Sequence, residues 1–396
     1  MKKIILLINF VLASHFGFSQ WTVIESGIYD PLSSICFPTA DTGYAVGNNG
    51  NMMKTTNYGV TWTPMVSATP YPIYTVFFVN SSLGFAGSDH GNIQKTIDGG
   101  ATWTGLRGDT NESIHSLFFT DSTIGYAVGD LGAVVKTIDG GLHWNTLTCG
   151  CSYSLTSVWF TSVDTGYIVS SGGNILKTND GGSSWMINDS VTTTDLKYIY
   201  FCDVNTGYIA GANGIILKTS DAGNHWTAQN SGVNNLLSSA YFTSVDTGYI
   251  ASEFGKILKT INGGADWTTQ LTDTNWGFNS IYFIDADTGY ATGGFLGDIH
   301  NGMIFKTTNG GLTFVEENQL PKSSINIYPN PANGDFSIES HIQGEIEIIN
   351  IEGQIIRTVH TDCAKTTMNL SNLSDGVYFV KVKSADEIVT KRFIKQ

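Results

Sequence analysis

The chain has 396 residues with 45 Gly, 8 Pro, 21 Phe, 17 Tyr and 9 Trp, only 14% charged residues and a formal net charge of −14. That much glycine and aromatic surface with so little charge describes a turn-dense all-β protein and argues against long helices; the length admits one large repeat domain with a small appendage. Residues 20–320 hold 25 acids against 10 bases, or −15, while residues 321–396 stand at −1, so the body offers no electrostatic footprint for nucleic acid or an anionic membrane surface.

At the N-terminus, Lys2 and Lys3 precede an apolar run from Ile4 to Ala13 and the small residues Gly17 and Ser19. This is the layout of a secretory signal peptide over 1–19. The run is too short to span a bilayer, and no later segment reaches spanning length, so no integral membrane segment is expected once 1–19 is removed.

From residue 20 to about 320 the sequence repeats. An aromatic after Gly recurs at Tyr44, Phe85, Tyr126, Tyr167, Tyr208, Tyr249 and Tyr290, each step being 41 residues. A second series, Phe37, Phe78, Phe119, Phe160, Phe201, Phe242 and Phe283, keeps the step. A third runs Trp62, Trp103, Trp144, Trp185, Trp226 and Trp267, then stretches to Phe314. Each unit contains four short apolar-patterned stretches separated by turns, the content of a propeller blade, so the expected fold is an all-β seven-bladed β-propeller followed by a small β-sandwich. Trp21 lies 41 residues before Trp62. It marks a spare outer strand that pairs with the last unit and closes the ring, in competition with Phe314.

Before each outer strand stands a turn such as KTIDGGATW. The Asx residues are Asn57, Asp98, Asp139, Asp180, Asp221, Asn262 and Asn309; their side chains accept hydrogen bonds from the turn's own amides, the following Gly tolerates positive φ, and the Trp packs between blades. These turns resemble the Asp box of BNR-type propellers. With the GYAVG and ILKT stretches, the units are similar to the seven-bladed repeats of the photosystem II assembly and stability factor family over about residues 21–318. Asp boxes are structural, so the resemblance implies a fold and no active site. The recurrent Lys54, Lys95, Lys136, Lys177, Lys218, Lys259 and Lys306 are expected to cover blade edges with their stems.

Five cysteines leave at least one unpaired if the others bridge. Cys149-Gly150-Cys151 either closes a small disulfide or holds two thiols, and Cys36 and Cys202 are expected as small buried hydrophobes on inner strands. A lone CxC is a poor zinc signal, and neither a metal nor a cofactor is expected.

After a linker at 321–324, residues 325–396 alternate apolar and polar side chains between turns at Asn333-Gly334 and Glu352-Gly353, as in a small antiparallel sandwich. Tyr328-Pro329-Asn330-Pro331, Gly334, Gly353, Leu373 and Gly376-Val377-Tyr378, with the basic end Lys391, Arg392 and Lys395, resemble the type A sorting domain of the type IX secretion system. The resemblance implies the type IX machinery as partner and an extracellular or outer-surface location, with the tail removed and the body released or attached to surface lipopolysaccharide. A permanently attached adhesive sandwich is the other reading.

A sialidase needs an arginine cluster, because guanidinium forks hold its carboxylate; the propeller has only Arg107. Most acids occupy recurring turns, among them Asp41, Asp164, Asp246 and Asp287, while Asp89, Asp130, Asp273 and Asp298 break the pattern without an evident pairing. No GxSxG, P-loop or HExxH motif is present. No catalytic residue is assigned, and the expected function is a non-catalytic scaffold for an extracellular protein or polysaccharide. The alternatives are a carbohydrate-active hydrolase, which needs two inward carboxylates at the channel mouth, and, from resemblance alone, a photosystem-assembly factor. Ligand contacts are expected on the face that carries the loops between units and between second and third strands, from Tyr71, His90, Arg107, Asp109, Tyr153, Phe254, Trp276, Phe295, Asp298 and His300. The last unit has six extra residues in GGFLGDIHNG, expected as a longer loop, and Arg107-Gly108-Asp109 spells an integrin-type tripeptide of chance-level frequency.

Overall fold

A computed structural model of the chain describes residues 21–311 and 325–396, apart from 189–190, 274, 296–301, 334, 340–343, 352, 362–364, 370 and 384–387. The expected signal peptide, the linker, Asp298, His300, Phe314, Gly334 and Glu352 lie outside the described residues. The chain divides after Phe314 into two compact units.

In the first unit, each repeat folds as a four-stranded antiparallel sheet, and the described residues form seven of them. The innermost strands are Leu32–Cys36, Ile73–Phe78, Ile114–Phe119, Leu155–Phe160, Leu196–Phe201, Leu237–Phe242 and Trp276–Phe283, which number the sheets as blades 1 to 7. Each innermost strand packs against the next, and that of blade 7 packs against that of blade 1, so the sheets close around a central channel. The second strands, such as Gly43–Gly47, are buried throughout, as expected where both sheet faces meet a neighbouring blade.

Aromatic rings fill the seams. Tyr44 of blade 1 stacks on Phe78 of blade 2 with centroids 4.0 Å apart, and Trp103 meets the same Phe78 edge-on at 5.9 Å; offset-stacked and edge-to-face pairs are the favourable ring geometries. Glycine before the Tyr is a packing requirement: a Cβ on Gly125 would stand 2.4 Å from the Phe119 ring. The Asp-box turns close as their residues suggest. Asp98 Oδ1 accepts the Thr96 hydroxyl at 2.8 Å and the Thr102 N–H at 2.9 Å, and the Gly100 N–H donates to Thr96 Oγ1 at 2.8 Å.

The recurrent lysines do more than shield an edge. Tyr44 Oη and Lys54 Nζ both donate to the Gly99 carbonyl in the next blade's Asp-box turn, at 2.6 and 2.7 Å. The same double clamp reaches Gly181, Ala222, Gly263, Gly310 and, across the closure, Tyr58. Each ammonium also stands 5.2 to 5.9 Å above its ring. The ammonium groups thus add a hydrogen bond to the edge packing expected of the stems, because a turn carbonyl facing the seam needs a donor. In blade 2, Phe85 has no hydroxyl to give.

Closure uses the N-terminal strand Thr22–Glu25, which pairs with Gly302–Thr308 as the outermost strand of blade 7. Trp21 meets Phe283 edge-on at 5.9 Å, the geometry of Phe37 with Trp62. The six extra residues of blade 7 are partly absorbed into a longer hairpin, Trp276–Phe283 against Thr288–Phe295, rather than all into a loop. Cys149 and Cys151 form a disulfide.

The second unit pairs a three-stranded sheet, Asn326–Tyr328, Asp335–Glu339 and Lys365–Asn369, with a four-stranded one in the order Ile355–Thr361, Gly344–Asn350, Gly376–Lys383, Ile388–Lys395. Ile327, Phe336, Ile338 and Met368 from the first share one core with Ile346, Ile348, Val380, Val382 and Phe393 from the second. The Tyr328-to-Pro331 motif holds the last strand: Asn330 Oδ1 accepts the Ile394 N–H at 2.9 Å, and the Ala332 N–H donates to the Ile394 carbonyl at 2.8 Å.

Candidate ligand-binding channel

Every innermost strand carries a β-bulge at the same place. The unpaired residue is Ser33, Tyr74, His115, Thr156, Lys197, Ser238 or Asn279. A bulge breaks the alternation of faces and re-aims a side chain. Two consecutive residues therefore lie on the channel side, and a cavity of about 550 Å³ is lined from all seven strands.

The lining falls into three layers. Nearest the loop face stand the seven bulged residues, all polar. Below them is a girdle of Ser34, Thr75, Ser116, Ser157, Tyr198, Ser239 and Ser280. Five of these serines accept the N–H of Val76, Val158, Ile199, Ile281 or Ile35 on the next blade at 3.2 to 3.3 Å. Towards the Asp-box end is a collar of Phe77, Phe118, Trp159, Tyr200, Tyr241 and Tyr282, whose successive ring centroids lie 5.7, 5.1, 4.7, 5.6 and 4.8 Å apart. Cys36 fills the seventh place. It is half-buried and faces the channel, which corrects its expected role as a buried core hydrophobe, and Cys202 is likewise half-buried. Burial pushes the Cys36 thiol up, and that of Cys202 to about 12.

Two of the pattern-breaking acids belong to one device used in successive blades. Asp89 Oδ1 accepts Tyr74 Oη at 3.0 Å and Ser113 Oγ at 2.7 Å. Asp130 Oδ1 meets His115 Nε2 at 2.9 Å and accepts Ser154 Oγ at 2.6 Å. All three pairs of equivalents are 41 residues apart. Burial opposes the Asp130 charge, but its hydrogen bonds from Ser154 and His115 outweigh that and hold the carboxyl below its ordinary range. Burial, helped by the bond to Asp89, pushes Tyr74 up to about 12. Both carboxylates tie a loop to an inner strand. Asp273 Oδ1 accepts the Asn275 N–H of its own turn at 3.0 Å.

The loops between blades do meet those between second and third strands: the Asp89 N–H donates to the Pro72 carbonyl and the Gly132 N–H to that of Tyr153. Of the expected contact residues, Tyr71 and His90 come together, with ring centroids 4.6 Å apart. Tyr153 lies exposed beside the Cys149–Cys151 bridge, and Phe254 is exposed on its own turn. Arg107 and Asp109 sit instead on the outer edge of blade 2, where Arg107 bonds Asn111 and Thr146 Oγ1 donates to the Asp109 carbonyl; the tripeptide is thus tied down. Trp276 is half-buried and packs on Phe305 rather than standing free. Phe295 is placed by its backbone opposite Trp276. None of the described contact residues lines the channel. The bulged positions were legible as a polar residue four places before each Phe of the second series.

The model of the photosynthesis system II assembly factor YCF48 family matches residues 102–187, 144–281 and 187–313, together more than half of the chain. A secretion system C-terminal sorting domain matches residues 326–396. No curated protein matches the chain. Among solved structures, YCF48 bound to D1 peptide is 20% identical with a TM-score of 0.61, covering 74% of this chain and 98% of that one. YCF48 from Cyanidioschyzon merolae is 19% identical with a TM-score of 0.61, covering 73% and 98%. A GH74 enzyme of Niastella koreensis is 16% identical with a TM-score of 0.60, covering 94% of this chain and 66% of the enzyme. At these identities the likeness is one of fold.

Proposed function

Because the chain belongs to the photosynthesis system II assembly factor YCF48 family and ends in a secretion system C-terminal sorting domain, we propose that it is a secreted or surface-displayed propeller that binds a protein or polysaccharide without chemically changing it. The observation that carries this reading is the contrast within the channel: one backbone bulge repeated seven times presents Ser, Tyr, His, Thr, Lys and Asn side chains in turn. A constant frame with a varied lining suits recognition.

Against hydrolysis stand the mouth acids. Two-carboxylate glycoside cleavage needs a proton donor and a base free to face the scissile bond; Asp89 and Asp130 each spend an oxygen on two structural donors, and Glu253 is the one carboxylate among the described residues that lines the cavity, without a second beside it. One solved structure of similar fold is YCF48 bound to D1 peptide, and a propeller of this kind that holds a peptide supports the binding reading. The sorting domain sends this chain through type IX secretion and so away from a photosystem, which leaves the extracellular partner to be found.

The test is a glycan and peptide array probed with the purified full chain, with an assay for reducing-sugar release from every glycan bound. Binding without release is expected. Release of sugar overturns the non-catalytic reading, and silence on both arrays removes the scaffold reading.

A further inference from the structure

We propose that the channel is a blind pocket for the terminal ring of a neutral glycan, which enters from the loop face and comes to rest on the aromatic collar. This rests on the scaffold reading and names the ligand class of its central site.

The collar makes a floor. Its ring contacts run unbroken from Phe77 round to Tyr282 and open only at Cys36. A thiol is far smaller than any of the six rings, so the passage narrows there to an off-centre gap beside blade 1. Each ring is half-buried and keeps part of its surface towards the lumen. Partly exposed aromatic surfaces suit the apolar C–H face of a sugar ring.

Above the floor, the girdle supplies the polar half of the same ligand. A hydroxyl holds one donor and two acceptor sites. At the half-buried Ser34, Ser116 and Ser280 the next blade's N–H fixes the oxygen, which leaves the O–H proton and a lone pair for a guest. Asn279 spends its amide N–H on the Leu32 carbonyl and keeps its oxygen. Such paired donors and acceptors complement sugar hydroxyls, which are themselves both. The volume, about 550 Å³, falls within the ~300–1,000 Å³ of small-molecule sites.

Charge selects within the class. Among the described residues Lys197 is the sole lysine or arginine lining the cavity, Glu253 also lines it, and residues 20–320 carry −15. Such a body repels polyanions at long range.

The experiment titrates the purified full chain with neutral oligosaccharides of hexoses and N-acetylhexosamines and with uronic-acid counterparts. Binding is read by calorimetry on the wild type, on Ser33→Trp, which crowds the mouth of the channel, and on Trp159→Ala, which removes part of the floor. A neutral glycan should bind, and each variant should weaken that binding about tenfold or more. If Trp159→Ala fails to fold, Ser33→Trp still decides. Glycan binding that responds to neither variant overturns the pocket while the scaffold reading stands. Preference for the acidic sugars or silence on every sugar also overturns it.

Discussion

The Asp-box seam and the channel wall are built from the same 41-residue repeat, yet they differ in what is held constant. At the seam both geometry and chemistry repeat: an Asx closes each turn, and in six blades a Tyr hydroxyl and a Lys ammonium converge on one carbonyl of the next blade. At the channel wall the bulge repeats but its side chain runs Ser33, Tyr74, His115, Thr156, Lys197, Ser238, Asn279. Constant chemistry on a constant frame is what stability requires. Varied chemistry on the same frame costs little there, and this is where we place recognition.

The sharpest way to break the seam is at its closure. Trp21 is the N-terminal side chain that completes blade 7, and removing a buried Trp costs about 3–5 kcal/mol. Trp21→Ala should therefore lower the first unfolding transition of the full chain by several degrees in calorimetry; an unchanged transition means the N-terminal strand does not lock the ring. The loop face offers a matched pair of smaller effect. A Cβ on Gly255, at φ +66°, would stand 1.5 Å from the Asp273 carbonyl oxygen, so Gly255→Ala should cost about 1–3 kcal/mol. Its neighbour Phe254 is exposed, and Phe254→Ala should stay within about 0.5 kcal/mol. Urea midpoints of the two variants check both, and equal losses remove the distinction between the frame and the exposed side chains it carries.

What was legible in the sequence was whatever repeats in type. The 41-residue step, the Gly beneath each Phe, the Asx turns and the spare Trp21 strand are all visible as residue identities. The Lys54 series was visible too, but nothing in a sequence says which carbonyl faces an ammonium across a seam. The channel lining was hidden by the bulge. Strict alternation puts Ser34 and Cys36 on one face and Ser33 with Ile35 on the other, whereas Ser33 joins Ser34 in lining the channel. Loop contacts chosen by residue type fared unevenly for a related reason: Arg107, Asp109 and Trp276 already have partners that lie 4 to 37 residues away.

Blade 2 provides a natural gap in the seam. Phe85 stacks on Phe119 at 4.1 Å as the tyrosines do elsewhere, with only the hydroxyl missing. Phe85→Tyr should add a donor towards the Gly140 carbonyl and raise stability by about 0.5–1 kcal/mol, while Tyr208→Phe, which removes a 2.8 Å bond to Gly263, should cost about 1 kcal/mol. Denaturant midpoints measure both. A destabilised Phe85→Tyr would show that the clamp is not transferable between blades.

The smallest effect separates the seam from itself. Asp98 is held down to about 2, first by the Thr102 hydroxyl and then by the Thr102 N–H and Thr96, whereas Asn57 accepts the equivalent bonds from Thr55 and Thr61 at 3.0 Å without titrating. A carboxyl whose folded pKa is depressed adds stability that is fully present above its unfolded value near ~4 and is lost as pH falls through the folded value. Acid should therefore weaken the protein between about pH 4 and pH 2, and Asp98→Asn should remove one blade's share of that loss while leaving neutral stability nearly unchanged. Urea midpoints collected from pH 5 to pH 2 decide it. An unaltered acid slope in Asp98→Asn would place the loss on other carboxylates, with Asp130 at the channel mouth, also held below its ordinary range, the next to replace.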